Sequence, residues 1–183
     1  MIKSMATPQQ KPSQTTDEYW LWAEDPARAL GDSDTSGKWQ VYVKREYVDE
    51  AWGATASMVE TGRLGPLAKV STALENLNSA GDPDLHVIIV YATDWRDLDD
   101  LRRILRALRD AGVAQGWLHF KRDLETRSGA YLNRGSRGVS VWNAAPGRDE
   151  ISTKWITGKR VIVNAENKDE VISRIERQDS EQS

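Results

Sequence analysis

The chain predicts an α+β domain: a curved, largely antiparallel sheet with helices packed on one face. Three observations predict it. Runs with period-two alternation or continuous apolar character, as at 37–43, 67–72, 86–91 and 117–121, outnumber helical stretches. Two amphipathic helical repeats stand among them, and a third closes the chain. The order of strands and helices is not the strict alternation that a parallel α/β sheet requires.

The first strand is Gly37-Lys38-Trp39-Gln40-Val41-Tyr42-Val43. Trp39, Val41 and Val43 share one side, and Lys38, Gln40 and Tyr42 the other. A helix follows over about Glu46 to Glu60, with Val48, Ala51, Trp52, Thr55 and Val59 on one face and Gly62 as its stop. Gly65-Pro66 turns the chain into Leu67-Ala68-Lys69-Val70-Ser71-Thr72, where Lys69 and Ser71 face away from Ala68 and Val70. If these two strands are neighbours, Lys38, Gln40, Tyr42 and Lys69 converge on one polar face.

His86 to Tyr91 is a continuous apolar run, the pattern of a central strand buried on both sides. His86 at its start reads as structural. Asp94 is the expected cap of the second helix, with Asp97 in its first turn. Leu98, Leu101, Leu105 and Leu108 recur at helical spacing, and Gly112 closes the run. Arg102, Arg103, Arg106 and Arg109 occupy the remaining surface and read as a solvated face paired with carboxylates.

Trp117 to Lys121 is the next strand, with Trp117, His119 and Lys121 on one side. Leu124 to Gly138 reads as a polar loop, Val139 to Trp142 as a strand and Ala144 to Glu150 as a turn. Trp155-Ile156 and Arg160 to Val163 read as a hairpin or two short strands. Asn167, with Glu170 three residues on, opens the last helix as a capping box. The Gln-, Ser- and Pro-rich stretch 1–16 and the tail 178–183 read as disordered, leaving one domain over 17–177.

Bulk properties narrow the function. No apolar run is long enough to cross a membrane, and no export signal opens the chain, so a cytoplasmic protein without a membrane partner is expected. There is no cysteine, which excludes disulfides and thiolate chemistry. Only His86 and His119 offer imidazole, so no metal site and no cofactor are expected. The net charge of −3 argues against broad nucleic-acid binding but leaves room for a local basic patch. The eight tryptophans mostly belong to the core. Phosphate-loop, dinucleotide-binding and nucleophile-elbow motifs are absent.

Three groups of residues can meet an oxyanion. The first is Lys38, Gln40 and Lys69. The second is Lys121, Arg122 and Arg127. The third is the Gly/Arg loop 129–138 with Arg134 and Arg137. Arginine forks bind phosphate oxygens in pairs, and lysine adds point charge. The competing reading is a salt-bridged surface serving Asp94, Asp97, Asp123 and Glu125. His119, beside Lys121, is a candidate for acid–base work or a packed histidine.

The motifs Tyr19-Trp20-Leu21-Trp22, Gly37-Lys38-Trp39, Val48-Asp49-Glu50-Ala51-Trp52, Gly62-Arg63-Leu64-Gly65, Ala68-Lys69-Val70-Ser71, Val90-Tyr91-Ala92-Thr93-Asp94 and Phe120-Lys121-Arg122-Asp123 resemble, in order and spacing, the basophilic-leukaemia-expressed proteins, a family of unknown function. Thr126 and Gly129-Ala130-Tyr131 continue the likeness. It implies the fold of translation initiation factor 4E, a curved antiparallel sheet backed by helices.

A more distant resemblance is to the phosphothreonine lyases secreted by bacterial pathogens. It implies β-elimination of phosphate, with Lys69 in Lys69-Val70-Ser71 as the catalytic base and Lys38 as its partner. Gln40 stands where that family has a histidine. Lys121, Arg122, Arg127, Arg134 and Arg137 would then surround the phosphate. The alternative is a non-catalytic module of the initiation-factor-4E type that holds RNA, nucleotide or a phosphorylated peptide, or a scaffold for a protein partner. The loop Ala73 to Leu85 has no aromatic residue for a cap-base sandwich, and Trp20 and Trp22 are the available substitutes.

Overall fold

The computed structural model describes residues 10–75, 82–127 and 140–181. One antiparallel sheet of eight strands organises them. In chain order the elements are β1 (Trp20–Glu24), β2 (Gly37–Lys44), α1 (Arg45–Glu60), β3 (Leu67–Ser71), β4 (Leu85–Ala92), α2 (Leu98–Asp110), β5 (Leu118–Arg122), α3 (Asp123–Arg127), β6 (Trp142–Ala144), β7 (Ile151–Thr153), β8 (Val161–Val163) and α4 (Lys168–Glu181). Across the sheet the order is β1-β3-β4-β2-β5-β6-β7-β8. The sheet is open, with β1 and β8 as edges, and the fold class is α+β as expected.

The two faces divide by residue parity. On one face Leu21, Val70, Ile88, Val90, Trp39, Val41, Phe120, Trp142 and Ile151 are buried, and they form one core with Val48, Trp52 and Val59 of α1, Leu101, Ile104, Leu105 and Leu108 of α2, and Val171 and Ile175 of α4. Trp39 and Phe120 meet edge to face, with ring centroids 5.3 Å apart. Burying side chains of this size stabilises by about 1.5–3 kcal/mol each. Four of the eight tryptophans (Trp39, Trp52, Trp95 and Trp142) lie in this core. The opposite face carries a smaller apolar cluster of Leu67, Ile89 and Tyr91, against which Trp20, Trp22, Leu30 and Val87 pack.

The helix ends follow local chemistry. Just past the end of α1, Gly62 takes a φ of 72° that suits glycine, and the Arg63 amide donates back to the Met58 carbonyl at 2.8 Å. Gly65 has a different task. A Cβ there would stand 1.7 Å from the Tyr91 carbonyl oxygen, so only glycine lets the approach to β3 run this close to β4.

Several sequence expectations are corrected. β2 and β3 are not neighbours: β4 lies between them. The cap of α2 is Asp97, whose side chain accepts from the Asp100 amide; Asp94 instead binds Arg96. The stretch after β5 opens with a helix, not a loop, because Asp123 and Glu125 supply the acidic first turn that favours one. The strand expected at 139–142 pairs at Trp142–Ala144, and Trp155-Ile156 lies in a turn while Ile151–Thr153 forms the strand. Asn167 accepts from the Asn164 amide and donates to the Ile162 carbonyl, so it ties α4 to β8 instead of forming a capping box.

Both assigned tails contain structure. Pro12 is buried in a short 3-10 turn, and Ser13 donates to Asp49 of α1. At the other end α4 runs past Gln178 to Glu181, and Asp179 within it pairs with Arg122.

Candidate functional site: a lysine pair on the sheet face opposite the core

The site begins with register. Gln40 of β2 stands opposite Ile89 of β4, and Ile89 stands opposite Lys69 of β3. Lys69 also stands opposite Trp22 of β1, and Gln40 opposite His119 of β5. Lys38, two residues from Gln40, is paired with Tyr91 on one side and Lys121 on the other. Period-two alternation then puts Lys38, Lys69, Tyr91, Gln40, His119 and Lys121 on one face, opposite the core face on which the described helices α1, α2 and α4 pack. The intervening strand did not separate the two lysines. It placed Tyr91 beside them, directly across from Lys38 and diagonal to Lys69.

Lys69 is the unusual member. Its ammonium lies 4.1 Å from the centroid of Trp20 and 5.0 Å from that of Trp22. It makes no ion pair or side-chain hydrogen bond among the described residues. Burial, then the charge of Lys38, lowers its pKa to about 8, and Asp123 only partly offsets them. The two tryptophan faces stabilise the cation by their quadrupoles, about 0.5–2 kcal/mol for such contacts, without supplying a proton acceptor.

Lys38 is held differently. It donates to Asp123 at 2.5 Å, in a pair with little exposure on either side, and stands 5.6 Å from the ring centroid of Tyr91. Asp123 is itself fixed: its carboxylate accepts from the Ser36 hydroxyl at 2.7 Å, and its amide donates to the Ser36 carbonyl at 2.9 Å. Burial, then Asp123, pushes the Tyr91 phenol up to about 12, so it keeps its proton throughout the neutral range. No hydrogen bond engages that hydroxyl among the described residues. His119 Nδ1 donates to Asn143 Oδ1 at 2.7 Å, which fixes the ring.

The remaining sequence candidates part company. Lys121 is buried on the lysine face. Arg122 is on the helix side, 2% exposed. It binds Glu125 and Asp179 and lies between Trp95 and Trp155 at 4.9 and 5.2 Å. Burial pulls the Arg122 pKa down, but the two carboxylates outweigh it and hold it above its ordinary value. Its fork is committed, and it does not join the Lys38–Lys69 group. Arg127 ends α3, while Arg134 and Arg137 lie outside the described residues. Three arginines of α2 pair with carboxylates as expected, Arg102 with Asp99, Arg103 with Asp100 and Arg106 with Asp149, whereas Arg109 donates to the Ala145 carbonyl. His86 is structural, with Nδ1 2.8 Å from the Ser71 carbonyl.

Tyr91 was not foreseen as a site residue, and Trp20 and Trp22 were foreseen only as stand-in walls for a stacked base, not as partners of Lys69. Trp20 and Trp22 flank Lys69 because 20–24 is a strand, a pattern visible in the alternation of Trp20 and Trp22 with Leu21 and Ala23. Tyr91 was absorbed into an apolar run. Two concavities lie elsewhere, one between α1 and α2 and one at Tyr42, Tyr47 and Gly116, and neither touches the lysines.

Fold and site together define an α+β protein whose open antiparallel sheet carries paired lysines, a tyrosine and two tryptophans on the side opposite its core. The model of the basophilic leukemia-expressed protein Bles03 family matches residues 10–131, and the chain belongs to that family. The match spans β1 to α3, so it includes Lys38, Lys69, Tyr91 and Asp123 and leaves β6 to α4 outside. Among the described residues no helix is long and apolar enough to cross a membrane.

Proposed function

We propose that the sheet face opposite the core binds a phosphorylated ligand, with Lys69 and Lys38 as its charge and Tyr91 as a neutral hydrogen-bond donor. The observation that carries this reading is the state of Lys69: a half-buried ammonium beside a second one, resting on two tryptophans, with no carboxylate on it among the described residues. An anion arriving there relieves the repulsion between the lysines and replaces the water that burial removed. Such a site prefers the charge of a phosphate, and charge-assisted hydrogen bonds are worth about twice neutral ones. The test is titration of a phosphothreonine peptide and its unphosphorylated twin by calorimetry. Selective binding that Lys69→Met abolishes is expected; equal binding of both peptides overturns the reading.

One observation favours a catalytic version, a carbon–oxygen lyase of the phosphothreonine-lyase kind. At a pKa of about 8, roughly a tenth of Lys69 is free amine at neutral pH, against less than a thousandth for an ordinary lysine. That amine takes the Cα proton, the electron pair forms the Cα–Cβ double bond, and the Cβ–O bond breaks to release phosphate. Gln40 cannot deliver the proton that the leaving oxygen needs, but the Tyr91 phenol still holds one and regains it from solvent. General acids of this kind contribute about 100- to 10,000-fold. Mass spectrometry of the peptide after incubation separates the versions. Elimination leaves a dehydrated peptide, while a pure receptor returns the phosphopeptide unchanged.

A further inference from the structure

An amine that is free part of the time is a nucleophile as well as a cation, and the surroundings of Lys69 suit that second chemistry. They are assembled from three strands. By register Lys69 stands between Trp22 of β1 and Ile89 of β4, with Trp20 two residues along β1. Leu67, Ile89 and Tyr91 are buried together there, and Trp20, Trp22, Leu30 and Val87 pack against them. The amine emerges through this apolar collar, yet Lys69 itself is only half-buried and stays open to a small molecule. Its Nζ rests 4.1 Å from the centroid of Trp20 and 5.0 Å from that of Trp22. Its charged neighbours are Lys38, of like sign, and Asp123, which Lys38 already occupies. Desolvation and an adjacent cation are the two devices that turn a lysine into a carbonyl-reactive amine. Both act on Lys69.

We infer that Lys69 captures a small phosphorylated aldehyde as a Schiff base, with Lys38 meeting the phosphate. The inference rests on the reading of this face as a phosphate site and adds a covalent step to it. The Nζ lone pair of Lys69 attacks the carbonyl carbon, the carbonyl π pair moves to oxygen, and a proton shift gives a carbinolamine. The carbinolamine hydroxyl leaves as water on taking the phenol proton of Tyr91, and the nitrogen lone pair closes the C=N bond. Solvent returns a proton to Tyr91. In sum, one amine, one aldehyde and one proton give one protonated imine and one water. Three features of the site favour that product. A protonated imine is planar and stacks flat on indole faces, as a guanidinium does and a tetrahedral ammonium cannot. The apolar collar limits the water that would reverse the dehydration. Asp123 pairs with Lys38 and leaves Lys69 without a carboxylate among the described residues, so the phosphate brings the anion that the lysine pair lacks.

The test is incubation of the whole protein with glycolaldehyde phosphate or with glycolaldehyde, reduction by sodium cyanoborohydride, and peptide mapping by mass spectrometry. Lys44 and Lys159, both exposed, are internal controls for the intrinsic reactivity of each aldehyde. With its pKa lowered to about 8, Lys69 is expected to label at least about tenfold faster than either control at pH 7. After normalisation to the controls, the phosphorylated aldehyde is expected to label Lys69 about three- to tenfold faster than the neutral one. Lys38→Gln is expected to bring that ratio to about one; the ratio is the readout, because loss of the like charge also slows Lys69 towards both aldehydes. Labelling of Lys69 no faster than that of Lys44 overturns the capture, and leaves the phosphate site standing if the phosphothreonine peptide still binds. Fast labelling of Lys69 by both aldehydes alike overturns the phosphate preference, and with it the reading of this face as a phosphate site. A preference that survives Lys38→Gln overturns Lys38 as the phosphate contact.

Discussion

Two cations on the same sheet make an instructive pair. Arg122 faces the helices, almost wholly buried, and receives two carboxylates from α3 and α4 and an indole on either side. Lys69 faces the other way, also shielded, and receives two indoles but no carboxylate among the described residues. The aromatic surroundings are alike; the difference is neutralisation. A buried charge that is fully paired fastens parts of the fold together. A shielded charge left beside a like charge destabilises the fold locally, which is the basis of the ligand site proposed at Lys69.

The largest effect expected from this contrast is at Arg122. Arg122→Met strands the Glu125 carboxylate, whose pKa burial already raises, and detaches Asp179. A loss of about 3–5 kcal/mol in urea unfolding is expected. Adding Glu125→Leu should recover most of it, since an apolar replacement of the pair leaves no unpaired charge. A loss below about 1 kcal/mol would dissolve the contrast.

Lys69→Met is expected to have the opposite sign. The folded pKa is depressed, so between about 8 and the ordinary lysine value the unfolded chain binds more protons and stability rises with pH. Below that window the charge penalty is fully present. Removing it at pH 7 should stabilise by on the order of 1 kcal/mol after solvent screening, with the gain gone once pH passes about 10.5. Thermal unfolding at pH 7 and 10.5 measures this.

Ligand binding should follow the same proton in a way that separates receptor from lyase. Phosphopeptide affinity should fall several-fold as pH rises through about 8, because the ammonium is the binding form. Elimination, if present, should rise over the same range, because the amine is the base. An affinity flat from pH 6.5 to 9 would show that Lys69 does not meet the phosphate.

The smallest effect is at Asp123. Asp123→Asn removes a carboxylate from Lys38 while keeping an acceptor for Ser36. Phosphopeptide affinity should rise about two- to fivefold, at a stability cost of about 1–2 kcal/mol. Weaker binding would mean that Asp123 holds Lys38 in place for the ligand.

Much of this was legible along the chain, for reasons that differ by element. The leucines of α2 and the run of β4 carry their period and burial in the sequence itself, and both elements appear where expected. The short strands do not: Ile151–Thr153 and Trp142–Ala144 have only three residues each, too few for a period, and exist because neighbours complete their hydrogen bonds. Lys38 and Lys69 were found on a shared face by alternation, although the assumed pairing of their strands was wrong, because an antiparallel strand inserted between them preserves the parity. Arg122 and Lys121 show the converse. They are adjacent in sequence, both cationic, and grouped together as candidates, yet alternation sends them to opposite faces.

The sequence by itself determined the fold class, the core faces of the helices and the parity that lines up Lys38, Gln40 and Lys69, since each depends on a local period. The tertiary structure decided the strand order, the placement of Tyr91 and the two tryptophans around Lys69, and which cations are neutralised. Those depend on partners brought from distant parts of the chain, such as Asp179 to Arg122, and a charge has no fixed meaning until its partners are set.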